Sequence, residues 1–125
     1  AILSASESPN PKIPESLEAV QLKEMNQQGL IKNCIIDGPL SYDLCFDPES
    51  AKIKGLTSDV AGDPDLIIYP DLVTGNAVSK ALVLNARAIG SSVILGTAVP
   101  VVLPSRAASV EEKVRNILLA SASVN

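Results

Sequence analysis

Histidine and tryptophan are missing from this sequence, and aromatic side chains are nearly so, with one Phe and two Tyr in 125 residues. Without histidine there is no imidazole to act as a base near neutral pH, and a zinc site loses its commonest nitrogen ligand. So few rings provide no stacking platform of the kind that single-stranded nucleic-acid binders use. No block of consecutive Lys or Arg occurs and the net charge is −4. The cation cluster that displaces counterions from nucleic acid is therefore lacking, and no nucleic-acid partner is expected. An anionic ligand stays open, because a few well-placed donors outweigh a mildly acidic surface.

Cysteine is equally scarce. Cys34 and Cys45 form neither a CxxC pair nor a disulfide framework. They read as small hydrophobes in a reducing, cytoplasmic compartment. The longest apolar stretch, residues 93–103, is interrupted by Gly96 and Pro100 and is too short to span a bilayer, so no membrane association is expected. No export leader is legible. The opening Ala1-Ile2-Leu3-Ser4-Ala5-Ser6 carries no initiator Met and reads as the inside of a strand, which gives the expectation of a truncated chain.

What the sequence does hold is aliphatic. Short apolar runs alternate with longer helical patterns, the signature of βαβ units. The expected fold class is α/β, a mostly parallel sheet with helices on both faces. Strands are expected at residues 2–5, 34–37, 66–69, 93–95 and 101–103. Residues 16–28 are expected as a helix with Leu17, Val20, Leu22 and Met25 on its apolar face and Gly29 as its stop. Residues 42–54 read as helical with a break or new start at Pro48. A long helix follows Gly75-Asn76 through Ala88, and residues 109–122 close the chain. That last helix opens on a capping box, Ser109-x-x-Glu112. There is no internal repeat and no interior linker, so residues 1–125 are expected to form one compact unit.

Candidate chemistry gathers at strand ends: Asp37-Gly38-Pro39, the run from Pro70 to Asn76, and Pro104-Ser105-Arg106. In open α/β sheets the crevice at the carboxyl ends of the strands is where ligands bind. Two readings of Thr74-Gly75-Asn76 stand side by side. Either the helix start offers free N–H groups to an anion, or Thr74 is an N-cap and Gly75 relieves a tight turn. Lys80, one turn on, reaches solvent or a phosphate. Of the three arginines, Arg87 and Arg115 fall in helical patterns where a solvated face is the default, whereas Arg106 stands in a loop. There its planar fork suits phosphate oxygens, and the Ser105 hydroxyl beside it suits a developing oxyanion. Glu111 and Glu112 follow within two turns, and either carboxylate could take a thiol proton. Asp43, Asp47, Glu49 and Asp63 match no ligand-loop spacing, so no metal is expected.

Taken in order, these segments resemble the phosphate acetyl- and butyryltransferase family. The string Asp37-Gly38-Pro39-Leu40-Ser41-Tyr42-Asp43, with Ala51-Lys52-Ile53-Lys54 after it, is similar to the family's DGPL segment and its lysine-rich helix. Ala61-Gly62-Asp63-Pro64-Asp65, Pro70-Asp71-Leu72, Thr74-Gly75-Asn76 and Lys80-Ala81 are similar to its PDL-x-x-GN-x-x-x-KA block. Ser105-Arg106 matches its C-terminal Ser-Arg element, and the Ser41-Tyr42 and Ser105-Arg106-Ala107 contexts lean toward the butyryl or branched-chain branch.

The resemblance implies reversible exchange of a short acyl group between coenzyme A and phosphate, with coenzyme A as substrate and no cofactor. It implies that Arg106 holds phosphate or acyl phosphate, that Ser105 hydrogen-bonds the carbonyl, and that Glu112 or Glu111 deprotonates the thiol. Asp71, Thr74, Gly75, Asn76, Lys80 and Arg87 would make up the substrate-binding set. Acetyltransferases of the family carry a further arginine in the helix before the last strands, where this chain has only Arg87. The implied fold is that of isocitrate and isopropylmalate dehydrogenases, two α/β/α domains around a cleft. This chain would be a C-terminal part of such a protein, inactive by itself because one wall of the cleft is missing. Two other readings are a relative that transfers acyl groups from acyl carrier protein to phosphate, and a non-catalytic regulatory or oligomerisation domain. The Ala-, Leu- and Val-rich helix over residues 78–88 suits the seam of a homodimer or higher oligomer.

Overall fold

A computed structural model describes residues 1–124. Five helices are formed among them, and two compact units, one of Ala1–Ala77 and one from Val78 onward.

The first unit is organised around its opening residues. Backbone N–H groups of Ile2, Leu3 and Ser4 donate to the carbonyls of Asp37, Ile68 and Leu40, each at 2.9 Å, so the segment lies between two extended neighbours. The pairings Ile2 with Ile68 and Leu3 with Leu40 are both parallel, as a βαβ arrangement requires, but each is an isolated bridge. The continuous parallel sheet with helices on both faces is thus not formed among the described residues. Pro39 has no N–H to extend one ladder, and Pro70 ends the other segment. The stretch 34–37, expected as a strand, carries no bridge at all. Leu3, Leu40, Leu44, Cys45 and Ala51 make the core, with Ile67 and Tyr69 packed against it.

Helix α1 spans Pro14–Gln27, with Pro14 at its first turn where the missing N–H costs nothing. Its C-terminus turns at Gly29 in the left-handed conformation, φ 74°, as the sequence suggests. The expected face is only partly buried: Val20 and Leu22 are half-buried. Ser16 and Ala19 are fully enclosed while Leu17 and Met25 are exposed. Close approach explains the choice: the Ala19 methyl lies 3.4 Å from where a Cβ on Gly38 would sit, so only a small residue fits there. Helices α2 (Tyr42–Phe46) and α3 (Pro48–Ile53) divide at Pro48, as its position suggests. Asp47 caps α3, its carboxylate accepting from the N–H groups of Glu49 and Ser50.

Helix α4 spans Leu72–Asn85. It begins ahead of Gly75-Asn76, which it was expected to follow, and ends three residues before the expected Ala88. Beyond it, in the second unit, Ile94 and Val101 form an antiparallel bridge, with Gly96 at φ 84° in the connection. The two strands expected here are therefore a single hairpin contact. Helix α5 spans Val110–Ala122 and is capped by Ser109, whose hydroxyl accepts from the Glu112 N–H at 3.2 Å. Asn116 and Ala120 are its buried residues. No described helix is long and apolar enough to cross a membrane.

Candidate functional site

In the second unit α4, α5 and the loop before α5 enclose a cavity of about 400 Å³. Lys80 lines it from α4, Ser105 from the loop, and Glu112 and Arg115 from α5, beside Gly90 and Ser92. Val83, Leu84 and Ala108 add apolar wall. Three of the expected site residues, Lys80, Ser105 and Glu112, thus share one concavity.

Local structure accounts for each. The Ser105 hydroxyl accepts from the Ala107 N–H at 3.4 Å, which leaves its own proton free to donate. Its carbonyl accepts from the Ala108 N–H at 3.0 Å, closing the turn that leads into α5. The capping box is half made. Glu112 supplies its N–H to Ser109, but its carboxylate has no hydrogen-bond partner among the described residues and lines the cavity instead. Glu111 behaves differently. Its own backbone N–H and the Ser109 hydroxyl hold its carboxyl below the usual carboxylate range, and it does not line the cavity.

Arg106 is exposed in the turn after Ser105 and does not line the cavity. Arg87 follows α4 in a left-handed conformation, φ 55°, also outside it. The remaining candidates lie in the first unit, at the start of α4. Asp71, immediately before the helix, accepts from the Thr74 N–H and hydroxyl, both at 2.8 Å. Those bonds keep its carboxyl below the usual range. Thr74 is therefore not the N-cap; Asp71 takes that position. Gly75 does not open the helix either. Its N–H donates to the Asp71 carbonyl at 3.1 Å, so it is not one of the free donors expected for an anion, and a Cβ added there would meet the Tyr69 ring at 3.5 Å. The Asn76 side chain is exposed.

Arg115 went unrecognised in the sequence because its helical context suggested a solvated face. The available signal was spacing: three residues after Glu112, it shares a helix face with that carboxylate.

A larger cavity of about 670 Å³ in the first unit holds none of the expected site residues. Asp59, Asp63 and Asp65 line it with isoleucines and Ala1, and no Lys or Arg is among its lining residues. Cys34 also faces it and is exposed, so only Cys45 packs as a buried hydrophobe. Of the acids weighed as metal ligands, Asp43, Asp47 and Glu49 have other partners, Glu49 pairing with Lys52 at 3.9 Å. Asp43 pairs with Lys54 at 2.7 Å, which with the Ser41 hydroxyl lowers its carboxyl to about 2. Asp47 caps α3. Among the described residues no cluster of three or more His, Cys, Asp or Glu is placed to hold a metal.

Residues 1–121 match the family model described as phosphate acetyl/butaryl transferase. A phosphate acetyltransferase of Thermotoga maritima is 49% identical over 97% of the chain, covering 41% of that relative. A phosphate butyryltransferase of Clostridium acetobutylicum is 41% identical over 97% of the chain and 40% of its own length. Among solved structures, a branched-chain phosphotransacylase from Enterococcus faecalis superposes with a TM-score of 0.83 at 35% identity, covering 96% of this chain and 44% of that one. The chain spans about two-fifths of the length of the curated relatives it matches.

Proposed function

The chain belongs to the phosphate acetyl/butyryl transferase family, and on that footing we propose that it carries part of a site exchanging a short-chain acyl group between coenzyme A and inorganic phosphate. The observation that carries this reading is the cavity shared by Ser105, Glu112 and Lys80.

In the direction that consumes acyl phosphate, the Glu112 carboxylate takes the thiol proton of coenzyme A. A free thiol with a pKa of about 8.5 is mostly protonated at neutral pH, so a base is needed. The thiolate sulfur attacks the acyl carbon, and the carbonyl oxygen becomes an oxyanion that accepts a hydrogen bond from Ser105. The C–O bond to phosphate then breaks, and phosphate leaves with the electron pair. The reverse direction runs the same steps backward, the proton returning from Glu112 to the thiol. Glu112 is preferred to Glu111 because Glu111 is held at the helix start with a depressed pKa, which weakens it as a base.

In this proposal Arg106, in the turn after Ser105, holds the phosphate and Arg87 is a further substrate-binding residue of the second unit, while Asp71, Thr74, Gly75 and Asn76 are candidate substrate-binding residues of the first unit taken by itself. No metal or prosthetic group takes part. The chain corresponds to a later portion of a two-domain α/β protein of cytoplasmic location. In this proposal it assembles as a homodimer or higher oligomer. The preferred acyl group is butyryl or branched-chain, in keeping with the Enterococcus neighbour.

Phosphate-dependent release of free thiol from acetyl-, butyryl- and isobutyryl-CoA tests the proposal, on this chain and on the longest reading frame that contains it. Because Cys34 is exposed and would react with a thiol reagent, C34S serves as the background control. Turnover by the longer protein, with little from the chain alone, is expected. Coenzyme A binding with no transfer to phosphate from any of the three thioesters would reject catalysis in favour of the regulatory reading.

A further inference from the structure

Arg115 and Lys80 line the same cavity, and neither lies within ion-pair distance of a carboxylate among the described residues. In the first unit Lys23, Lys52 and Lys54 have acidic partners, whereas Lys12 and Lys32 do not among the described residues. Lys80 and Arg115 share the concavity with the single carboxylate of Glu112, so two cations face one fixed anion and a further anion is favoured beside them.

The arginine is also held in place. Its Nε–H donates to the Gly90 carbonyl at 3.3 Å. The next residue on α5, Asn116, is fully buried and its Oδ1 accepts from the Ser92 N–H at 2.8 Å. The segment from Gly90 to Ser92 is therefore pinned at both ends to α5, and both of those residues line the cavity. A guanidinium has five N–H donors. One is spent on Gly90, and the others have no protein acceptor among the described residues. A half-buried, pre-positioned fork with free donors suits the paired oxygens of a phosphoryl group.

We infer that Arg115, with Lys80 beside it, is an oxyanion-binding residue of this cavity and holds a phosphoryl group. That the group comes from the reacting phosphate, or from the phosphates of coenzyme A, rests on the proposed function. The shared chemistry, a phosphate oxyanion on a guanidinium and an ammonium, is the same for both sources.

The test is calorimetric titration of this chain with inorganic phosphate and, separately, with coenzyme A, comparing wild type, R115Q, R115K and K80Q at fixed ionic strength. R115Q is expected to weaken one of the two ligands by roughly 10- to 100-fold, as loss of a charged hydrogen-bond donor does. It should leave the other within about twofold, and R115K should fall between wild type and R115Q. Weakening of phosphate assigns the inorganic anion; weakening of coenzyme A assigns its phosphates. If R115Q and K80Q bind both ligands as wild type does, or wild type binds neither, the inference is overturned. Should R115Q fail to fold, K80Q decides by the same criterion. The titration reads binding alone, so Arg115-dependent binding here together with no transfer in the thiol-release assay would sink the proposed reaction and leave this site standing.

Discussion

Replacing Asp37 by asparagine keeps the shape of the side chain and removes its charge, which isolates one ion pair at the centre of the first unit. Asp37 accepts from the Lys23 ammonium at 2.6 Å and from the Gly38 N–H at 2.8 Å. Its side chain is 12% exposed and that of Lys23 is 38% exposed. An exposed pair contributes up to about 1 kcal/mol, and breaking a fully buried one costs about 3–5 kcal/mol. With one partner nearly buried and the other well solvated, D37N should cost about 2 kcal/mol. For a chain of this size that lowers the melting temperature by roughly 8 °C.

The pH dependence follows from the same geometry. Burial opposes ionisation of Asp37, but Lys23 and the Gly38 N–H outweigh it and hold the carboxyl below its ordinary value of 3.8. A lowered folded-state pKa means that the stabilisation is fully present above the ordinary value. It fades as pH falls below 3.8 through the folded value, because the unfolded chain then binds the proton more readily. Urea denaturation followed by far-ultraviolet circular dichroism, for wild type and D37N from pH 7 down to about pH 2.5, measures both effects. The difference between the two proteins should be flat above about pH 5 and shrink below about pH 4. A cycle with K23M should return a coupling of about 1–2 kcal/mol. A D37N penalty under 0.5 kcal/mol, or one that ignores pH, would refute the reasoning.

Three further outcomes are expected. S109A removes the hydroxyl that accepts from the Glu112 N–H; it should cost about 1 kcal/mol and reduce helical circular dichroism, while S109D retains stability. G38A puts a methyl 2.8 Å from the Ile2 Cβ and 3.0 Å from the Ile2 carbonyl oxygen; urea titration should show a loss of about 1–3 kcal/mol, and an unchanged midpoint would refute the packing. In the longer protein, E112Q should lower kcat roughly 100-fold or more with little change in phosphate KM, and E111Q should not; equal effects would reject Glu112 as the base.

Much of the local structure was legible because it is decided by neighbouring residues. Pro48 after Asp47 starts a helix, Gly29 stops one, and Ser109 with Glu112 three residues on opens another. Each is a capping contact within one turn, so the sequence contains both partners. The start of α4 was misread for the same kind of reason, since Asp71 outcompeted Thr74 for the helix N–H groups. The apolar pattern at residues 16–28 places Val20 and Leu22 on the half-buried side but misses Ser16 and Ala19, because what mattered was the narrow space beside Gly38. In the candidate site, Ser105 and Glu112 were found by residue type, but that they share a cavity with Lys80 was not in the linear spacing.

The ordered blocks from Asp37-Gly38-Pro39-Leu40 through Ser105-Arg106 determined the family by themselves, and the helix ends came with them, since motif and cap are both written in consecutive residues. Tertiary structure alone decided that Asp37 would be buried beside Lys23, that Ala19 would face the core in place of Leu17, and that Arg115 would line a cavity. Those outcomes depend on distances between segments far apart in the chain, where packing and desolvation set the energies and local preference has little to say.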